Sequence, residues 1–240
     1  MAVRFDAATD RLLRTTDLPN YNGLYTLMAW IRTPASVTSS WAVFAVLNNN
    51  GSGLDWIGHG NNGRLDLYVG GDGYGSTLSV NTWYHVTMMR ESTTSLRAYL
   101  NGVLDITDTT DVGARSANTR MELGAMGTGN VDPFTGRAYA VKVWTTNLTA
   151  AEILQEMRTI TPQRLANLHL WTPLLAGASE RLIDYSGFGR NWTEGGTLTD
   201  EDPPPVEWGA PDPKWFEGTV VAGGGPALPV SSLALLGAGI

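Results

Sequence analysis

Three histidines stand far apart, at His59, His85 and His169. None has a second imidazole four residues away, so the helix of a metalloprotease, which needs both ligands on one face, is excluded. His85 lies between Tyr84 and Val86 in a strand-like run and reads as a side chain hydrogen-bonded inside a core. A glycosidase needs two carboxyl groups about 5–10 Å apart. Two acids at i and i+2 of one strand would meet that spacing, and no strand-like segment carries them. Asp66 is the lone acid of its segment, opposite the apolar face, and is expected to be solvated. The Gly-x-Ser-x-Gly turn of a serine nucleophile is absent from the sequence. Hydrolase chemistry therefore has no visible constellation.

Gly58-His-Gly-Asn-Asn-Gly63 matches the spacing of a dinucleotide-binding loop. Such a loop must open a helix whose N-terminus holds the pyrophosphate. Here a clean alternation over 64–69 follows, so the glycines predict a hairpin turn. Calcium takes 6–8 oxygen ligands from loop carboxylates, amides and carbonyls. No Asp-x-Asp-x-Asp-Gly array is present, and the best local candidate is the pair Asp184 and Asn191, which flank glycine turns. The competing reading of Asp184 is an acid that caps its own turn through backbone amides. A sugar site needs aromatic faces beside amides and carboxylates that bond hydroxyls. Trp56, His59, Asn61, Asn62, Asp72 and Tyr74 supply those groups on the two connections that flank the 64–69 strand.

These residues must be held by strands. Hydrophobic residues make up 42 % of the 240-residue chain and charged residues 16 %, which suffices for a core and argues against disorder. Acids exceed bases to give a formal net charge of −7, so a phosphate-tracking nucleic-acid binder is not expected. The absence of cysteine removes disulfides, thiol catalysis and thiolate zinc sites. Segments 26–32, 41–47, 64–69, 83–90, 96–100, 103–106, 121–124 and 137–144 read as strands, with turn signals every 8–12 residues as in a sandwich. The 41–47 run is apolar throughout and predicts a strand buried on both faces. Asn101-Gly102 predicts a tight hairpin. Thr149-Ala-Ala-Glu152 is a capping box that opens one short helix with an Ile153, Leu154, Met157 stripe. Segments 168–171 and 181–183 look like further strands.

Asp200-Glu-Asp-Pro-Pro-Pro205 reads as a stiff, charged linker, which divides the chain into a sandwich over 1–200 and a Pro/Gly-rich arm over 201–240. The start Met1-Ala-Val-Arg-Phe-Asp6 lacks the pattern of an export signal, and no segment has the roughly 20 apolar residues of a membrane span. Trp208, Trp215, Phe216, Leu228, Leu233, Leu236 and Ile240 make the arm apolar, and an exposed apolar arm is expected to dock on another chain.

Six segments together resemble a known family: Ala2-Val-Arg-Phe-Asp6, Tyr25-Thr-Leu-Met-Ala-Trp-Ile31, Asn81-Thr-Trp-Tyr-His-Val-Thr87, Arg97-Ala-Tyr-Leu-Asn-Gly102, Phe134-Thr-Gly-Arg137 and Trp144-Thr-Thr-Asn-Leu-Thr-Ala-Ala-Glu-Ile153. The series is similar to the laminin-G-like, concanavalin-A-like superfamily of lectins, pentraxins and glucanases. The resemblance implies an all-β, two-sheet antiparallel jelly-roll sandwich, with one short helix and here an extended C-terminal arm. Relatives often carry an acidic pair after the Phe-x-Gly turn, where this chain has Arg137-Ala-Tyr-Ala140, and the glucanases' Glu-x-Asp-x-x-Glu strand is missing. Binding or display is therefore implied rather than turnover. With no export signal, the expected role is a non-catalytic bacteriophage virion protein at the virion surface. It would be a homo-oligomer decorating a capsid or adhering through a tail lattice, touching surface glycans but neither nucleic acid nor membrane. The alternative is a stand-alone, extracellular carbohydrate-binding lectin module. No cofactor other than calcium enters either reading.

Overall fold

A computed structural model describes residues 1–18, 23–38, 41–48, 55–68, 71–109, 119–126 and 132–204. Two antiparallel sheets face each other. The larger contains β1 (Ala2–Arg4), β3 (Tyr25–Arg32), β8 (Trp83–Ser92), β9 (Ser95–Leu100), β10 (Val103–Asp108), β12 (Arg137–Trp144), β13 (Leu168–Thr172) and β15 (Thr199–Glu201). Its order is β10-β9-β8-β3-β12-β1-β15, with β13 also paired to β12. The smaller contains β2 (Arg11–Arg14), β4 (Ala42–Asn48), β5 (Asp55–His59), β6 (Arg64–Tyr68), β7 (Asp72–Thr77), β11 (Arg120–Leu123) and β14 (Thr193–Gly195), in the order β14-β2-β11-β4-β5-β6-β7. The α-helix found among the described residues, α1 (Ala150–Met157), lies on the outer side of the larger sheet. The all-β jelly-roll expectation is met.

Alternation along each strand explains the layering. Val3, Leu27, Phe44, Ile57, Leu67, Val86 and Val141 point between the sheets and form the main core. Strand β4 is buried on both faces as its apolar run requires, with Phe44 inward and Val43 and Val46 outward. The core also holds an ion pair at zero exposure: Arg90 Nη1 donates to Asp55 Oδ2 at 2.8 Å, and the Tyr25 hydroxyl donates to the same oxygen at 2.9 Å. Desolvating two charges is costly, so removing either partner alone is strongly destabilising.

Asn101 (φ 51°) and Gly102 (φ 79°) both adopt the left-handed conformation that a tight primed hairpin turn demands between β9 and β10. The capping box of α1 forms in both directions, Glu152 N–H to Thr149 Oγ1 at 3.2 Å and Thr149 N–H to Glu152 Oε2 at 2.7 Å. The stripe of α1 differs from the expected one: Ile153 and Glu156 are buried while Leu154 is turned outward. Glu156 is drawn inward because the buried Lys142 Nζ donates to its Oε2 at 2.8 Å.

Two further elements depart from the sequence reading. Segment 181–183 is not a strand but part of a 3₁₀ turn over Glu180–Leu182, whose amides are satisfied locally by Gly177 O and Ser179 O. Residues Thr199–Glu201, which reach into the expected linker, pair with β1 as an edge strand. The apolar residues of the arm, Trp208, Trp215, Phe216, Leu228, Leu233, Leu236 and Ile240, lie outside the described residues.

Candidate functional site

The β5–β6 hairpin shows what the glycine-rich motif does. Gly60 N–H donates to Arg64 O at 3.0 Å, Gly63 N–H donates to Gly60 O at 3.1 Å, and Asn62 Oδ1 accepts from Arg64 N–H at 3.1 Å. The turn feeds a strand, so no helix end is available for a phosphate. Space also selects glycine: a Cβ at residue 58 would lie 2.0 Å from Ala42 O. One at residue 60 would lie 2.9 Å from both Tyr74 Cε1 and Asn62 Oδ1, and 3.4 Å from Asp66 Oδ2. The missing side chain at Gly60 lets an aromatic ring, an amide and a carboxylate converge.

That convergence sits on the outer face of the smaller sheet, where four rings form one array. Tyr74 is 6.1 Å from Trp41 at a 36° tilt, Trp41 meets Trp56 edge-on at 6.1 Å, and Trp56 stacks on Tyr68 at 5.5 Å and 6°. Val43, Val46 and Met126 pack beside them. Exposure divides the array into two parts. Trp56 is only 4 % exposed and acts as a support, whereas Tyr74 is 36 % exposed and Trp41 is half-buried, so these two present ring surface to solvent. Asn61, Asn62 and Arg64 are exposed at the adjoining turn. Arg64 Nε donates to Gly75 O at 2.6 Å and ties the hairpin to β7. The arrangement offers an apolar ledge beside amide and guanidinium donors, the chemistry that a sugar's C–H face and hydroxyls require.

The six expected sugar contacts are thus only partly gathered. Tyr74, Asn61 and Asn62 border the ledge, and Trp56 lies beneath it. His59 pairs in register with the core residue Leu65, so it faces away from Trp56 and is buried. Its Nδ1 meets Gly60 O at 3.2 Å, and burial lowers its pKa from the usual imidazole value. Asp72 opens β7 opposite Tyr68, and its side chain lies outside the described part of the structure. Asp66 corrects the expectation of solvation: it is fully buried, on the ledge side of β6. The sequence reading missed Trp41 and Tyr68, although period-2 alternation from Trp56 and Asp66 places Tyr68 on their face.

The calcium candidates are occupied otherwise. Asp184 Oδ1 accepts from Trp171 N–H (3.1 Å) and Ser186 N–H (2.9 Å), and Oδ2 accepts from the Ser186 hydroxyl (2.7 Å) and Arg190 N–H (3.0 Å). A carboxylate has about four acceptor sites, and all four are taken. Asn191 Oδ1 accepts from Asp184 N–H at 2.9 Å. The pair closes a turn, and the carboxylate that would lead a cation site is already filled by protein donors. Among the described residues, no three His, Cys, Asp or Glu gather as a metal site. Nor is any described helix long and apolar enough to cross a membrane.

Comparison with known proteins agrees with this fold. The family model described as the concanavalin A-like lectin/glucanases superfamily matches residues 7–154. No curated protein matches the sequence. Among solved structures, a candidate carbohydrate-binding protein from Bacteroides ovatus superposes with a TM-score of 0.63 at 18 % identity, covering 85 % of this chain and 60 % of its own. The present chain therefore spans three fifths of that relative. The heptameric SAP-like pentraxin of Limulus polyphemus gives a TM-score of 0.54 at 14 % identity, with 82 % and 92 % covered. At these identities the likeness speaks for the fold. The sequence match over most of the sandwich and the two-sheet jelly roll lead to one conclusion: the chain belongs to the concanavalin A-like lectin/glucanase superfamily.

Proposed function

We propose that this protein is a carbohydrate-binding module without catalytic activity, which lays a sugar ring against the ledge formed by Trp41 and Tyr74. The observation that carries the reading is this solvent-facing aromatic pair, backed by the buried Trp56–Tyr68 stack and bordered by Asn61, Asn62 and Arg64. The Bacteroides ovatus relative supports it by its description as a candidate carbohydrate binder. The disposition of the nearby acids supports a non-catalytic role. Asp66 is buried beneath the ledge and Asp55 is locked to Arg90 and Tyr25 inside the core, so neither is presented to a substrate as a proton donor. A shallow ledge with few polar anchors gives weak binding, with Kd on the order of millimolar.

The test is affinity electrophoresis against a panel of neutral polysaccharides, followed by titration of the retained one. Tyr74→Ala and Trp41→Ala should each reduce affinity about tenfold or more while the fold remains intact. Retention of no polysaccharide by the parent protein, or unchanged affinity in both variants, would overturn the reading. Display on a virion through residues 201–240 is a second reading, supported by the apolar, charge-free sequence after Glu217.

A further inference from the structure

The outer face of the larger sheet carries a row of charge that the aromatic ledge does not share. Trp83 of β8 lies opposite Arg32 of β3, Arg32 opposite Arg137 of β12, and Arg137 opposite Arg4 of β1. Their chain neighbours Val3, Ile31 and Ala138 belong to the inner core, so alternation turns all three arginines outward. Directly opposed residues have Cβ atoms about 4.5–5.5 Å apart, and like charges placed so are destabilising. In a protein of net charge −7, three adjacent guanidinium groups need an explanation.

Internal pairing accounts for only part of the row. Arg4 pairs with Asp6 and lies 3.6 Å from Glu201 Oε2, and Arg137 Nη2 lies 3.4 Å from Glu201 Oε1. Arg32 Nε donates to the main-chain oxygen of Asn81 at 2.9 Å, and among the described residues no carboxylate forms an ion pair with it. Arg137 Nε is buried and meets no acceptor among the described residues. Charge is thus left over at Arg32, and Arg137 shares its exposed edge with Glu201 alone among the described carboxylates. The half-buried Trp83 and Trp30 stand beside it as apolar surface.

We propose that this row is a second binding site, for an acidic polysaccharide whose carboxylate or sulfate groups bridge Arg32 and Arg137 while a sugar ring rests on Trp83. Guanidinium groups match such oxyanions in a two-pronged geometry. The row crosses three strands, about 10 Å. That length suits a chain of repeated anionic groups better than a single small ion. Glu201 competes with the ligand for Arg137, so its carboxylate limits affinity. The site lies on the opposite sheet from the ledge and stands or falls independently of it.

The experiment measures binding of the full chain to polygalacturonate, dextran sulfate and neutral dextran by isothermal titration, at low and at physiological salt. Polygalacturonate and dextran sulfate separate carboxylate from sulfate recognition. Binding to either, falling with salt and not displaced by excess neutral dextran, is the expected result. Arg32→Glu should reduce affinity about tenfold and Arg32→Gln, which keeps a donor for Asn81 O, by about fivefold. Glu201→Gln should raise affinity severalfold, an effect that a merely structural arginine row would not give. Tyr74→Ala should leave polyanion binding unchanged. The proposal is overturned if the parent protein binds neither polyanion, if both Arg32 variants bind as the parent does, or if Glu201→Gln fails to tighten binding.

Discussion

Replacing Asp184 by alanine should be among the most damaging single changes outside the main core. The residue is 6 % exposed and accepts three main-chain N–H donors and one hydroxyl, which draw the 184–190 turn against β13. A hydrogen bond to a charged group contributes about 1.5–3 kcal/mol, and a buried donor left without its partner costs about 1–3 kcal/mol. The four bonds are not additive, and the turn can open to water, so a net loss of about 3–5 kcal/mol is expected. In a sandwich of this size each kcal/mol lowers Tm by about 2–4 °C, which puts the shift between about 6 and 20 °C. Asp184→Asn keeps one carbonyl oxygen and opposes the other donors with an NH₂ group, so it should lose about half as much. Urea titrations and thermal melts, run in chelator and in millimolar calcium, measure both effects. Calcium should move neither curve, because the acceptor sites of the carboxylate are filled. A loss below about 1 kcal/mol in Asp184→Ala would refute the capping argument. A calcium-dependent rise in Tm that disappears in that variant would refute the exclusion of the cation.

Acid should weaken the fold through its buried histidines. Burial, reinforced by the charge of Lys142, depresses His85 to about 3, and burial together with Arg190 depresses His169 to about 4. Both are neutral when folded and take up protons when unfolded, so their stability is complete above about pH 6.5 and is lost as pH falls toward the folded values. His85 alone should cost about 2 kcal/mol by pH 5, at 1.36 kcal/mol per unit. A urea midpoint that stays flat from pH 7 to 5 would contradict this. Trp56→Ala should cost about 3–5 kcal/mol by emptying the space between Trp41 and Tyr68, whereas Trp56→Phe should retain most of the stability and the ledge; chemical denaturation distinguishes them. Deleting residues 205–240 should leave the sandwich's melt intact while changing oligomeric state by light scattering. An unchanged state would end the docking-arm reading.

The strands that the sequence revealed are those whose pattern has a local cause. Asn101-Gly102 dictates its hairpin by φ alone, and Thr149 with Glu152 opens α1 without help from the rest of the chain. Strands β2, β5 and β7 were not legible, because Arg11-Leu-Leu-Arg14, Asp55-Trp-Ile-Gly-His59 and Asp72-Gly-Tyr-Gly-Ser-Thr77 carry charges and glycines that only tertiary partners explain. Asp55 is tolerated in the core because Arg90, 35 residues later, meets it there. At the ledge, the types of the ligand-facing groups were visible but their depth was not. Nothing local tells that Trp56 is roofed by Trp41 or that Asp66 is buried beside Gly60. The arginine row is a property of pairing register between residues more than a hundred positions apart, so no linear pattern announces it.

The pairing of Ala2 with Glu201, across the β1–β15 edge, makes the points of entry and exit neighbours. A unit built this way can be spliced into a surface loop of another protein as a single insertion, since its two junctions match the narrow gap of a loop. It can equally be permuted, by joining those junctions and opening the chain at an exposed turn such as Asn61–Asn62. Engineers could therefore graft the sandwich as a cassette with both faces clear, and nature has the same freedom.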